Sequence, residues 1–154
     1  MAGAGIKITT DDAEFERGIS ELVERVTNLT PIHRILGEVA AASIDRNFEE
    51  GGRPKWAPHS PVTIALTGEH GILTLTGRMR RSINVQADDQ SARVGTNAIY
   101  AAVQQFGALK GSFKSSPRLV PWGDIPARPF IAIQAEDKTE MVEEVREYLG
   151  KGSQ

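Results

Sequence analysis

Two acidic ends with helical patterning flank a basic middle that carries the clearest β signal in the chain. Residues 1–50 hold 10 Asp and Glu against 5 Lys and Arg, and residues 131–154 hold 6 against 3. Residues 51–130 reverse the sign, with 10 basic against 4 acidic residues. Inside that middle, Ile83-Asn84-Val85-Gln86-Ala87 alternates with the period of a strand. Asp88-Asp89-Gln90 reads as a turn, and Ala92-Arg93-Val94-Gly95-Thr96 as the return strand. The expected fold class is therefore α+β: N-terminal helices and a C-terminal helix packed on a small, mainly antiparallel sheet, with a long basic loop. Opposed charge on one small subunit favours head-to-tail contacts between copies, although solvated helix faces give the same pattern.

The helical ends carry their own punctuation. A first helix is expected from Asp12 to Asn28, capped by Asp11 or Asp12. Its Phe15, Ile19, Leu22, Val26 and Leu29 form one narrow apolar stripe. That stripe is expected to pack on its own domain, with a neighbouring subunit as the alternative. Thr30-Pro31 marks a second helix, with Thr30 as cap, running to Glu49 and stopped by Gly51-Gly52. Ile32, Ile35, Leu36, Val39, Ala42 and Ser43 form its inner face, extended by Ile44 and Phe48. Trp56 is expected to anchor the following loop in the core, and a short helix fits Pro61 to Leu66.

Thr76 reads as the cap of a short helix whose apolar positions are Leu75, Met79 and Ile83, leaving Arg78, Arg80 and Arg81 to project. Asn97 reads as the cap of a helix from Ala98 to Phe106, stopped by Gly107. Residues 107–126 have no periodicity and form an extended loop bearing Lys110, Lys114 and Arg118. Arg128 to Ile133 reads as a last strand or strand-like entry, and Asp137 with Glu140 as the capping box of the last helix. Met141, Val142, Val145, Tyr148 and Leu149 give that helix an apolar face that Gly150 ends. A single domain over 1–154 is expected, with 1–10 and 151–154 flexible.

Catalytic chemistry finds no foothold. The chain has 0 cysteines, so disulfides and thiolates are excluded. Its 3 histidines, His33, His59 and His70, lack partners at metal-ligand spacing. No Gly-x-Ser-x-Gly occurs, and Gly51-Gly52 lacks the Lys-Ser/Thr ending of a phosphate loop. The adjacent pairs Glu49-Glu50 and Asp88-Asp89 need not converge. No enzyme, cofactor or metal site is expected. No apolar run approaches the roughly 20 residues of a membrane span, and the first residues lack the pattern of a signal peptide. Arg78, Arg80, Arg81, Lys110, Lys114 and Arg118 suit phosphate contact without base reading, but a pI near 5.9 argues against a dedicated nucleic-acid binder.

The ordered fragments of the middle resemble the phage virion morphogenesis family, tail-completion proteins of Mu-like and related contractile-tailed phages. The fragments are Ile35-Leu36-Gly37, then Ile44-Asp45-Arg46-Asn47-Phe48 with Gly51-Gly52 and Trp56. Ile72-Leu73 and Thr76-Gly77-Arg78-Met79-Arg80-Arg81-Ser82-Ile83 come next. Val94-Gly95-Thr96-Asn97, Tyr100-Ala101, Gln105-Phe106-Gly107 and Ile125-Pro126-Ala127-Arg128-Pro129-Phe130 follow, before a closing helix. The likeness spans about residues 30 to 150. The family often has His where Gln104 stands, and Ala108 to Asp124 carries no family signature.

The resemblance implies a structural virion protein of the head–tail junction or the head-proximal tail end. A tail-completion or terminator ring, expected to be a hexamer, comes first, and a head-closure or neck layer second. The implied neighbours are tail-tube, sheath or head-closure proteins, with DNA in the channel as a loose contact and no membrane. Assembly would take place in the host cytoplasm, and the finished protein would sit in the virion. A small DNA-binding accessory protein is the rival class. The residues expected at subunit or partner contacts are Arg78, Arg80, Arg81, Tyr100, Gln105, Phe106, Lys110, Lys114, Arg118 and Arg128.

Overall fold

A computed structural model of the chain describes residues 12–110, 112 and 123–150. Its elements are α1 (Asp12–Thr27), α2 (Thr30–Glu50), α3 (Pro61–Thr67), α4 (Arg78–Arg81), β1 (Ile83–Ala87), β2 (Ala92–Thr96), α5 (Ala101–Phe106) and α6 (Ala135–Gly150). The α+β expectation holds. The hairpin falls where the alternation put it: β1 and β2 pair antiparallel, with Val85 opposite Val94 and Ile83 opposite Thr96.

The long α2 is the spine, packing on both strands along one side and on α6 along another. Gly37 lets it approach the sheet, because a Cβ there would come within 2.4 Å of Val85 Cγ1. Ile44 and Phe48 of α2 bury against Trp56, Met79, Ala101 and Phe130. Phe48 meets the Trp56 ring edge-on at 5.8 Å and the Phe130 ring at 5.5 Å, separations that favour aromatic pairs. Trp56 is thus the expected anchor, and its Nε1 donates to the Pro129 carbonyl.

Several local expectations are corrected. Thr30 is not the cap of α2: Leu29 holds that position, and the Asn28 side-chain oxygen accepts the Thr30 N–H instead. The short helix after Thr76 starts from Gly77, whose φ of 62° supplies the left-handed turn, while Thr76 Oγ1 accepts the Arg78 N–H. The helix expected from Ala98 begins only at Ala101. Thr96, not Asn97, accepts the Ala98 N–H, and a turn closed by Ala101 N to Ala98 O comes first. The capping box of α6 is shifted by three residues. Asp137 is the third helical residue, and its carboxylate reaches back to the Gln134 N–H.

Residues 128–133 form no strand, and the chain bends at Ile131. The Arg128 N–H donates to the Gln104 carbonyl, and side chains take most of the backbone groups that follow. The Asn47 amide donates to the carbonyls of Phe130 and Ala132, and Gln105 Oε1 accepts the N–H groups of Phe130 and Ile131. Gln105 Nε2 returns a bond to Ile131 O. With these amides in place the segment needs no ladder.

Among the described residues most of the α1 stripe, expected to pack on its own domain, finds little cover, and Leu29 is half-buried. Phe15 is 70% exposed, and Ile19, Leu22 and Val26 are also open. The flexible ends expected at 1–10 and 151–154, and the interior of the 107–126 loop, lie outside the described residues. The loop is pinched at its base by an antiparallel bridge between Ala108 and Ile125. Among the described residues no helix is long and apolar enough to cross a membrane.

Candidate assembly surface

Next to the core, a buried polar knot ties three segments together. Ser43, Asn47 and Asp137 are each 0% exposed. The Asp137 carboxylate accepts the Ser43 hydroxyl and the Arg46 guanidinium, the latter at 2.9 Å. Arg53 donates to Asn47 Oδ1 at 2.8 Å and to the Ser43 carbonyl at 3.0 Å, and pairs with Asp137 and Glu136. Burial alone would raise the Asp137 pKa. The Ser43 hydroxyl, the Gln134 N–H and the two guanidiniums outweigh it and hold the carboxyl below its ordinary value. The sequence signal was weak: Asn47 follows Ser43 by four residues, on the same face of a helix otherwise read for its apolar positions.

The arginine turn α4 divides its cations. Arg80 clamps Asp45 bidentately and reaches Glu49 at 2.7 Å. Those bonds raise the Arg80 pKa and, with Arg80 as donor, lower that of Asp45. Arg81 donates to the Thr76 carbonyl. Arg78 is exposed and has no ion pair among the described residues. Met79 packs in the same core cluster as Ala101.

Along the α5 side the apolar residues turn outward. Ile99 is 96% exposed, Phe106 79% and Leu109 72%, with Tyr100 partly open and Lys110 next to Leu109. Gly107 ends α5 at a φ of 75°, and a Cβ there would come within 2.7 Å of the Ile125 carbonyl. Only glycine lets the loop base close against the helix end. Lys114 and Arg118 lie outside the described residues.

Two residues expected at contacts are committed inside the subunit. Gln105 clamps residues 130–131. Arg128 is 7% exposed, donates to the carbonyls of Ala57 and Pro58, and has its pKa lowered by burial. The structure therefore brings Arg78, Tyr100, Phe106 and Lys110 to the surface, and turns Arg80, Gln105 and Arg128 toward internal partners. Sequence reasoning did not single out Ile99 or Leu109, and expected the α1 stripe on its own domain, with a neighbouring subunit as the alternative.

No group of three or more His, Asp or Glu that could hold a metal is present among the described residues. An open groove of about 240 Å³ runs along the hairpin, lined by Asn84, Gln86, Arg93 and residues 94–97. Its open shape suits surface contact more than enclosure of a small molecule.

The sequence profile of the phage virion morphogenesis family matches residues 10–150. The chain belongs to that family. It is 29% identical over 146 residues to "Mu-like prophage FluMu G protein 2" of Haemophilus influenzae, covering 94% of this chain and 96% of that protein. It is likewise 29% identical over 150 residues to "Putative capsid assembly protein G" of Escherichia phage Mu, covering 92% of each. No solved structure matches. Family membership gives this phage virion morphogenesis protein a structural role in virion assembly.

Proposed function

We propose that this virion morphogenesis protein is the subunit of a closed ring, six copies around, that completes the tail at its head-proximal end. The supporting observation is the uncovered apolar surface of the single subunit: the α1 stripe and the Ile99–Phe106–Leu109 edge. Soluble monomers seldom leave such surfaces open, and partners usually cover them. The neighbours of the ring are tail-tube or sheath proteins below and head-closure proteins above. The division of the arginines supports assembly over DNA binding, since Arg80 already has two carboxylates as partners.

A head-side layer is the second reading, favoured by the words "capsid assembly" in the name of the phage Mu relative. Particles made without the protein separate the two. A missing tail cap leaves growth of the tube unchecked, so unattached tails of irregular, excessive length are expected in electron micrographs. Tails of normal length beside heads that lose their DNA would overturn the tail reading and favour the head-side layer. Light scattering of the purified 16.7 kDa chain, with and without tails, tests for the ring itself.

A further inference from the structure

The β1–β2 hairpin is a sheet of two strands, so each strand keeps an outer edge. The bond from the Asp88 N–H to the Ser91 carbonyl closes the turn and sets the phase of the antiparallel ladder. Asn84 with Gly95 and Gln86 with Arg93 then exchange bonds across it. Ala92, Val94 and Thr96 turn their N–H and C=O groups away from β1, and among the described residues these groups meet no partner. The groove beside the hairpin shows which edge is accessible. On β1 it touches only Asn84 and Gln86, whereas on β2 it takes in residues 93–96 and runs on to Asn97. Val94 and Thr96 share the side of the pleat on which Val85 and Ala92 meet Gly37 of α2. The groove therefore reaches round the β2 edge, and a free edge of this kind takes up a further strand.

Residues 6–10 have the composition of such a strand. In Ile6-Lys7-Ile8-Thr9-Thr10 apolar and polar residues alternate, and four of the five are β-branched. They lie outside the described residues and lead into α1. With Lys7 opposite Gly95, Ile6 and Ile8 fall opposite Val94 and Thr96 on the apolar side, whichever way the strand runs. Gly95 leaves room for Lys7, since a Cβ there would meet nothing within 4 Å. The other uncovered apolar surfaces are the α1 stripe, Val142 and Leu149 of α6, α3, and the Ile99–Phe106–Leu109 edge. These are helix faces and turns, and none offers an unpaired strand. Helix α1 also points residues 6–10 away from their own hairpin. It is tied to the body at its carboxyl end, where Arg25 donates to the Tyr148 carbonyl and the Tyr148 hydroxyl to Asn28 O. The hairpin turn lies toward that same end, because His33 Nδ1 bonds the Asp88 carbonyl at 2.8 Å. The amino end of α1 is about 20 Å along the helix from Arg25, and Phe15 near it is 70% exposed.

We infer that residues 6–10 of one copy add as a third strand to the open β2 edge of the next copy, a contact between two different surfaces that closes into a ring. This rests on the ring reading above. The chain has 0 cysteines, so Lys7→Cys and Gly95→Cys each carry a single thiol, and thermal melting checks that both fold. At this position, between the ladder bonds, the two Cα atoms would be close enough for a disulfide. The two chains are oxidised mildly, separately and mixed, with and without tails, while light scattering follows their mass. A chain with both substitutions is treated in the same way. Disulfide-linked dimer in the mixture, none from either single-thiol chain, and linked multimers of the doubly substituted chain are the expected results. A doubly substituted chain that links only within itself would place the strand on its own hairpin and overturn the exchange. Self-linking of either single-thiol chain would mean that like surfaces pair, with the same consequence. A multimer without any disulfide would overturn the docking while leaving the ring reading in place. Monomers throughout, with or without tails, and no disulfide would overturn both. Hydrogen exchange of the unsubstituted chain gives a readout free of the thiols. The Val94 and Thr96 amides should slow roughly tenfold or more on assembly, and unchanged exchange in the multimer would overturn the docking.

Discussion

The Asn47 amide spans the core to Phe130, donating to its carbonyl at 2.9 Å and to the Ala132 carbonyl at 3.0 Å. One side chain from α2 thus does for the segment around Phe130 what a neighbouring strand would do. The same Asn47 accepts from Arg53, so the loop after α2 is registered by the residue that registers residues 130–132. Asn47→Leu keeps the volume but leaves two carbonyls and a guanidinium without this partner. We expect a loss of about 3 kcal/mol, since each buried group left unsatisfied costs roughly 1–3 kcal/mol. An unchanged urea midpoint would show that water replaces the amide and that the segment is not held this way.

Phe130 supplies the apolar half of the same anchor. It is 0% exposed and stacks on Phe48. Phe130→Ala is expected to cost about 3–5 kcal/mol in equilibrium unfolding. A loss below about 1 kcal/mol would mean that the surrounding core collapses into the space.

Asp137 gives a prediction in acid. Its folded pKa is held low, so the unfolded chain takes up the proton first as pH falls. Its contribution is therefore complete above the ordinary carboxyl value of about 4 and is lost below it. Asp137→Asn leaves Arg46 and Arg53 facing a neutral amide, and should cost about 3 kcal/mol at neutral pH. The variant should also lose less stability than the parent between about pH 4 and pH 2. Parallel pH curves for the two proteins would assign the acid limb to other carboxylates.

What the sequence made legible follows from what each feature depends on. The hairpin was readable because alternation and the Asp88–Ser91 turn are local, and both strands fall at the expected residues. Trp56 was readable as an anchor because a large aromatic between prolines has few other uses. The last strand was misread because Arg128–Ile133 has strand composition, whereas its partners are amides from α2 and α5, far away in the chain. The helix start was misplaced at Ala98 because Thr96 binds the Ala98 N–H in a turn that precedes the helix, and α5 itself begins at Ala101 with no side-chain cap. The α1 stripe was left between its own domain and a neighbouring subunit, the first preferred, because periodicity reveals an apolar face but not whose surface covers it. Of the residues expected at contacts, Phe106 and Lys110 are exposed, whereas the internal duties of Arg80, Gln105 and Arg128 depend on tertiary contacts that spacing does not encode.

The arginine turn offers a contrast between neighbours. Arg80→Glu would set a third carboxylate beside Asp45 and Glu49, so the melting temperature of the isolated chain should fall. Arg78→Glu touches no ion pair among the described residues and should leave the melting temperature unchanged while reducing incorporation into particles. The reverse pattern, a stable Arg80→Glu chain and a destabilised Arg78→Glu chain, would contradict the division of labour within α4.

His59 and His70 close the ends of the α3 segment on each other, their rings 4.5 Å apart. His59 Nε2 is buried without a hydrogen-bond partner among the described residues. Burial, then the neighbouring His70, and to a lesser degree Arg128, lower the His59 pKa against an opposing contribution from the Gly71 backbone. The folded chain therefore resists protonation at this ring, and the unfolded chain binds the proton first as pH falls past about 6.5. Stability should accordingly be undiminished at pH 8, where both forms are neutral, and should fall as pH drops from about 7 toward the lowered value. His59→Gln removes the titrating group. Urea midpoints measured from pH 8 to pH 5 should then show a shallower decline for the variant than for the parent. Equal slopes would mean that the decline, if present, arises at other groups and that the ring pair does not couple α3 to pH.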